Sequence, residues 1–155
     1  MSSPALKPAT RDITVDEVFP HSPEMIWKTL TTPELIGRWL MMTPTGFEPV
    51  VGNRFTYQTT PIGRWDGLID CQVLEAEPNE RLVYSWQGGN DANVGYGSRL
   101  DTVVALTLTK VSAGTRVRLV HSGFEAPRND FAFRNMSDAW PKVVQRAAAL
   151  SEERN

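Results

Sequence analysis

From Phe47 to Ser122 the chain keeps a period of two, with apolar side chains at alternate positions and turn residues breaking the run at intervals. That stretch constrains the fold most, because successive hairpins build an antiparallel sheet with one apolar face, and that face must be covered. The turns fall at Gly52-Asn53, Pro61-Ile62-Gly63, Pro78-Asn79-Glu80 and Ser112-Ala113-Gly114. Between them, Phe55 and Tyr57 share one side, as do Gly67, Ile69, Cys71 and Val73 in a strand read from Trp65 to Glu77. Leu82, Tyr84 and Trp86 form an aromatic-rich face, and in the last strand Val117, Leu119 and His121 point in while Arg116 and Arg118 point to water. Residues Gln87 to Ser98 hold four glycines, two asparagines and one aspartate, and read as a long mobile loop.

The segment long enough to cover such a sheet is the last one. From about Asp130 to Glu153, Met136, Trp140, Val143, Val144, Ala147 and Leu150 recur at spacings of three and four, the stripe of one buried helix. Pro141 interrupts it, so the helix either kinks there or restarts with Ser137 or Asp138 as a cap. Ahead of the sheet, Ser22-Pro23-Glu24 and Thr32-Pro33-Glu34 each offer a capping hydroxyl, a first-turn proline and a carboxylate for the positive helix end. Two short helices follow from these, one carrying Ile26, Trp27 and Leu30, the other Leu35, Ile36, Trp39 and Leu40. A first strand runs from Ile13 to Phe19. Residues 1–11 are polar and proline-bearing and read as a disordered arm, with 12–155 as a single domain. The fold class is therefore α+β, with an antiparallel sheet of six or seven strands around a long C-terminal helix.

Composition excludes several functions. Sixteen basic and eighteen acidic side chains are mixed along the chain, without the basic cluster that nucleic acid or anionic lipid requires. One cysteine, Cys71, permits no internal disulfide, and with two histidines it falls short of a structural zinc site. No apolar run is long enough for a membrane span or has the form of a signal peptide, so a cytoplasmic protein is expected. No cofactor or metal is implied, and either a monomer or a homodimer is compatible with the sequence.

Tyr57, Trp65, Tyr84, Trp86, His121 and Trp140 are the candidate lining of a cavity between sheet and helix, since alternation and helical spacing aim them at the same space. Packing alone is the competing reading for each ring. His121 is the one candidate general base, because an inward imidazole titrates near neutrality; the alternative is a histidine hydrogen-bonded within the core. Asp66, Asp70, Asp101 and Glu125 read as solvated, and Cys71 as small apolar filler.

Several passages resemble one family. They are Ser22-Pro23-Glu24-Met25-Ile26-Trp27 with Thr32-Pro33-Glu34-Leu35-Ile36-Gly37-Arg38-Trp39, then Glu75 to Trp86, then Gly114 to Phe124, and Trp140. Together they are similar to the START-like or SRPBCC superfamily, and within it to the family named after the activator of the heat-shock-protein-90 ATPase. The resemblance implies a helix-grip fold, with a tunnel in many members for a lipid, sterol, hormone or aromatic polyketide. It implies as primary role the binding of a small apolar or aromatic molecule. A co-chaperone acting on a heat-shock ATPase and a cyclase or dehydratase working in the same cavity are the alternatives.

Overall fold

The computed structural model of the protein describes residues 9–153. Its elements in chain order are β1 (Thr10–Phe19), α1 (Pro23–Thr31), α2 (Pro33–Leu40), β2 (Arg54–Gln58), β3 (Leu68–Glu77), β4 (Arg81–Gly88), β5 (Leu100–Val111), β6 (Gly114–Glu125) and α3 (Asp130–Glu153). The six strands form one antiparallel sheet in the order β1-β6-β5-β4-β3-β2. Four successive hairpins give the order β2 to β6, and β1 joins beside β6 because the two short helices carry the chain across to the opposite edge. This is the expected helix-grip architecture.

Both short helices start where their proline signals place them, but the two caps differ. Ser22 Oγ accepts from the Met25 amide at 3.3 Å, as an N-cap serine does. The Thr32 hydroxyl turns backwards and donates to the Lys28 carbonyl at 2.6 Å, so it closes α1 instead of opening α2. The reason is proximity: Thr32 lies between the helices, and its own amide already donates to the same carbonyl.

Alternation along the strands places Phe55, Tyr57, Ile69, Cys71, Val73, Leu82, Tyr84, Trp86, Val104, Leu106, Val117, Leu119 and His121 on one buried face. The stripe Trp140, Val143, Val144, Ala147 and Leu150 packs against the core from the other side. α3 is continuous through Pro141. The ring removes one backbone donor, but buried side chains on both sides of it hold the helix to the sheet, and tertiary packing outweighs one missing rung.

Three boundaries differ from the sequence reading. β1 begins at Thr10 and not at Ile13. Residues 1–8 of the expected arm lie outside the described residues, while Thr10 and Arg11 already pair with Glu125 and Phe124 of β6. Arg11 also forms an ion pair with Asp130 and lies 4.2 Å from the centre of the Phe133 ring, interactions that polar composition alone does not announce. β3 begins at Leu68 and not at Trp65, because Gly67 takes φ +82° beneath the Thr59 carbonyl, where a Cβ would stand 2.3 Å from the oxygen. Trp65 is thereby left in a turn, bridged to Ile62. The third is the loop after β4: the strand runs on to Gly88 and β5 already begins at Leu100, and the loop between them is held down by side chains, as described below.

Truncation of Trp140 tests the grip directly. Trp140→Ala should cost about 3–5 kcal/mol in urea unfolding, the range for a large buried aromatic.

Candidate functional site

Within the core, the sheet and helix are joined by hydrogen bonds between fully buried or nearly buried side chains. Trp140 of α3 donates its indole N–H to His121 Nδ1 at 3.0 Å. An indole nitrogen can only donate, so Nδ1 is the accepting nitrogen and the neutral ring carries its proton on Nε2. That proton is shared with Thr102 Oγ1 of β5 at 2.8 Å, and the Thr102 hydroxyl donates onward to the Trp86 carbonyl of β4 at 2.9 Å. Donors and acceptors match at every link, so the relay satisfies three buried polar side chains without a charge.

This relay decides what His121 can do. Both ring nitrogens are occupied, the residue has no exposed surface, and burial pushes its pKa from 6.5 down to about 3. A general base needs a free lone pair within reach of a substrate, and here the lone pair on Nδ1 is already taken by Trp140. Trp86, Phe124 and Trp140 pack around the ring at centroid distances of 5.5, 4.6 and 5.8 Å.

A second aromatic group lies further along the sheet. Phe55 sits edge-on to Phe47, Tyr57 and Tyr84 at 4.9, 5.7 and 5.4 Å. The Tyr57 and Tyr84 hydroxyls hydrogen-bond to each other, and burial pushes both phenols above their ordinary pKa, as it does the Cys71 thiol. A thiol held protonated in this way is not a nucleophile.

The candidate cavity lies at the end of the sheet where β4 leaves it. Trp65, Ile69, Trp86, Leu100, Phe131 and Met136 are among the walls of an apolar hollow of about 150 Å³. It adjoins a second, of about 230 Å³, between α2 and α3, and the two share Met42, Trp86 and Met136. Of the six expected lining residues, Trp65 and Trp86 face the first hollow, and Trp86 and Trp140 the second. Tyr57, Tyr84 and His121 are packed into the wall behind them. Further along the grip, the space between Phe19, Leu106, Leu119 and Val144 shrinks to about 10 Å³, room for one water molecule at most. Large side chains fill the middle of the grip, and the two apolar hollows lie at its end.

Two loops roof the hollow, and residues that the sequence reading passed over hold them. Asn93 donates to the Ile62 carbonyl at 2.9 Å and Tyr96 to the Thr60 carbonyl at 2.8 Å, so the loop after β4 rests on the loop before β3. Gly97 allows this close approach, since a Cβ there would lie 2.7 Å from Ile62 Cγ2. Asn129 is fully buried; it donates to the Arg99 carbonyl at 2.8 Å and accepts from the Glu125 amide at 2.9 Å, fixing the end of the roof to the start of α3. Asparagines in a glycine-rich stretch suggest turns, and nothing in their spacing shows that they reach another loop. Met42 was equally hidden, as a methionine carries no motif, and Met136 was read only as part of the helical stripe, yet their flexible thioethers suit an adaptable wall.

Three of the carboxylates line a polar depression that adjoins the first hollow across Trp65, Gly88, Gly89 and Leu100. Asp66 accepts from the Leu68 amide at 3.0 Å and Asp101 from Gln87 at 2.9 Å, around this depression, which also includes Asp70. Among the described residues no group of three His, Cys, Asp or Glu side chains could hold a metal ion, and no helix is long and apolar enough to cross a membrane.

Residues 20–152 match the sequence model of the family described as Activator of Hsp90 ATPase homolog 1-like protein. No curated protein matches the chain. Among solved structures, a protein of Mesorhizobium loti is 34% identical with a TM-score of 0.79, over 94% of this chain and 99% of its own. A protein of Bacillus halodurans is 22% identical with a TM-score of 0.70, over 91% and 96%. The Aha1 dimer of Colwellia psychrerythraea is 23% identical with a TM-score of 0.65, over 87% and 91%.

The buried relay makes stability depend on pH. The unfolded histidine takes up a proton near pH 6.5 and the folded one only near 3, so between these values the unfolded state binds more protons. Stability from this group is complete above pH 6.5 and falls as the pH drops towards 3, at up to roughly 1.4 kcal/mol per pH unit. Urea midpoints measured from pH 7 to 5 should show the decline. His121→Phe should be less stable at pH 7 and should lose most of the slope.

Proposed function

Since the chain belongs to the Activator of Hsp90 ATPase homolog 1-like family, whose fold grips a long helix in a curved sheet, we propose that it binds a small apolar or aromatic molecule at the open end of that grip. The observation that carries this reading is the pair of adjoining hollows walled by tryptophan, methionine and phenylalanine, of about 150 and 230 Å³. An apolar cavity of about 150 Å³ is already enough for a benzene-sized guest, and a larger ligand would use both. Aromatic and thioether walls supply dispersion contact without fixing one shape, which suits binding better than a strict geometric selection.

Binding without turnover is the better-supported form of this proposal. His121, the one candidate general base, is neutral, buried and bonded at both nitrogens. The phenols and the thiol are held in their protonated forms. The site offers contact area and shape, and none of His121, Tyr57, Tyr84 and Cys71 is activated as a nucleophile or base.

A ligand of this class at a hundred times its dissociation constant should raise unfolding stability by about 2.7 kcal/mol. Thermal-shift measurement against naphthalene-sized aromatics and medium-chain lipids checks this. Ala132 lines the first hollow, so Ala132→Trp should fill it and abolish the shift while the variant stays folded. If no compound stabilises the protein, the cavity reading fails, and stimulation of a heat-shock ATPase, the activity in the family's description, becomes the reading to measure.

A further inference from the structure

The second hollow has one charged wall. Arg146 projects from α3 to line it beside Leu40, Met41, Met42, Ala139 and Val143. Its Nε donates to the Trp39 carbonyl at 3.0 Å, which fixes the side chain at the last turn of α2. That bond uses one of five donors on the guanidinium. Among the described residues the terminal amino groups have no protein acceptor, and no carboxylate lies within ion-pair distance. Arg11, Arg81, Arg99, Arg116 and Arg128, in contrast, are each paired with an aspartate or glutamate.

Resting on the cavity reading above, we propose that the ligand is a small apolar monocarboxylic acid. Its carboxylate pairs with the guanidinium of Arg146, and its acyl or aryl body lies along Met42, Trp86 and Met136 towards the first hollow. The planar guanidinium suits two parallel bonds to a carboxylate, and an anchored Nε means little rotamer freedom is lost on binding. A single fixed cation selects a single negative charge. A phosphate monoester would bring a second one into an apolar cleft beside the carbonyl end of α2, where anions are disfavoured. Removing the cation would leave the same cleft suited to neutral guests.

Stabilisation of α2 is the competing role for Arg146, because a cation at a helix C-terminus is favourable by itself. The two roles are separated by comparing acids with neutral isosteres. Binding of 2-naphthoate against 2-naphthamide, and of decanoate against 1-decanol, is measured by calorimetry on the full chain and on Arg146→Met. The expected result is at least tenfold tighter binding of the acid in one pair, falling to within twofold in Arg146→Met while the neutral partner binds as before. In the unsubstituted protein the Arg146 Nε–H resonance should shift with the acid and not with its neutral partner, a readout that holds even if Arg146→Met does not fold. Equal binding of acid and neutral partner overturns the carboxylate assignment and leaves the cavity reading standing. An acid preference that survives in Arg146→Met overturns it too. Binding of neither member of either pair sinks both.

Discussion

The sheet and its helix are registered by a chain of three buried side-chain hydrogen bonds, from Trp140 through His121 and Thr102 to the backbone of Trp86. Hydrophobic burial drives α3 onto the sheet, but burial is non-directional and would tolerate a helix shifted along its groove. The relay is directional: an indole donor must meet an imidazole acceptor at one place, and leaving either unpaired in the core carries a full desolvation penalty. It therefore sets where along the sheet the helix sits. The position of Met136, and with it the wall shared by the two hollows, follows from that register.

The same relay divides the interior into a packed part and an open part. On one side of His121 the large side chains of β5, β6 and α3 close to a void of about 10 Å³. On the other, β4 gives way to its loop, whose Tyr96 and Gly97 line the first hollow together with Phe131 and Met136 of α3. Cover there must come from loops, which rest on one another through Asn93, Tyr96 and Asn129. Loops joined by a few hydrogen bonds open at lower cost than a core does, so the fold places its accessible space where the roof can move.

The elements were legible in the residues because each has a period and punctuation. Phe55, Tyr84 and Val117 occupy the faces that alternation assigned, and the stripe from Trp140 to Leu150 is the face of α3 that meets the core. The lining of the candidate cavity was half legible. Trp65, Trp86 and Trp140 were placed against open space, but Tyr57, Tyr84 and His121 were indistinguishable from them by pattern, since alternation tells which face a side chain takes and not how far the opposite wall stands. Arg146 was invisible for the same reason: a lone basic residue on a helix reads as solvated until its neighbours are known.

By itself, the sequence determined an antiparallel sheet of six or seven strands, the three helices, the apolar side of these elements, and the family to which the chain belongs. These are local or additive properties, set by periodicity, capping and turn chemistry within a few residues. Only the tertiary structure decided that the middle of the grip is full and its end is not, that His121 is a structural link, and that a cation faces the remaining space. Each of these depends on distances between residues far apart in the chain, and such distances are fixed only when the helix and the sheet dock.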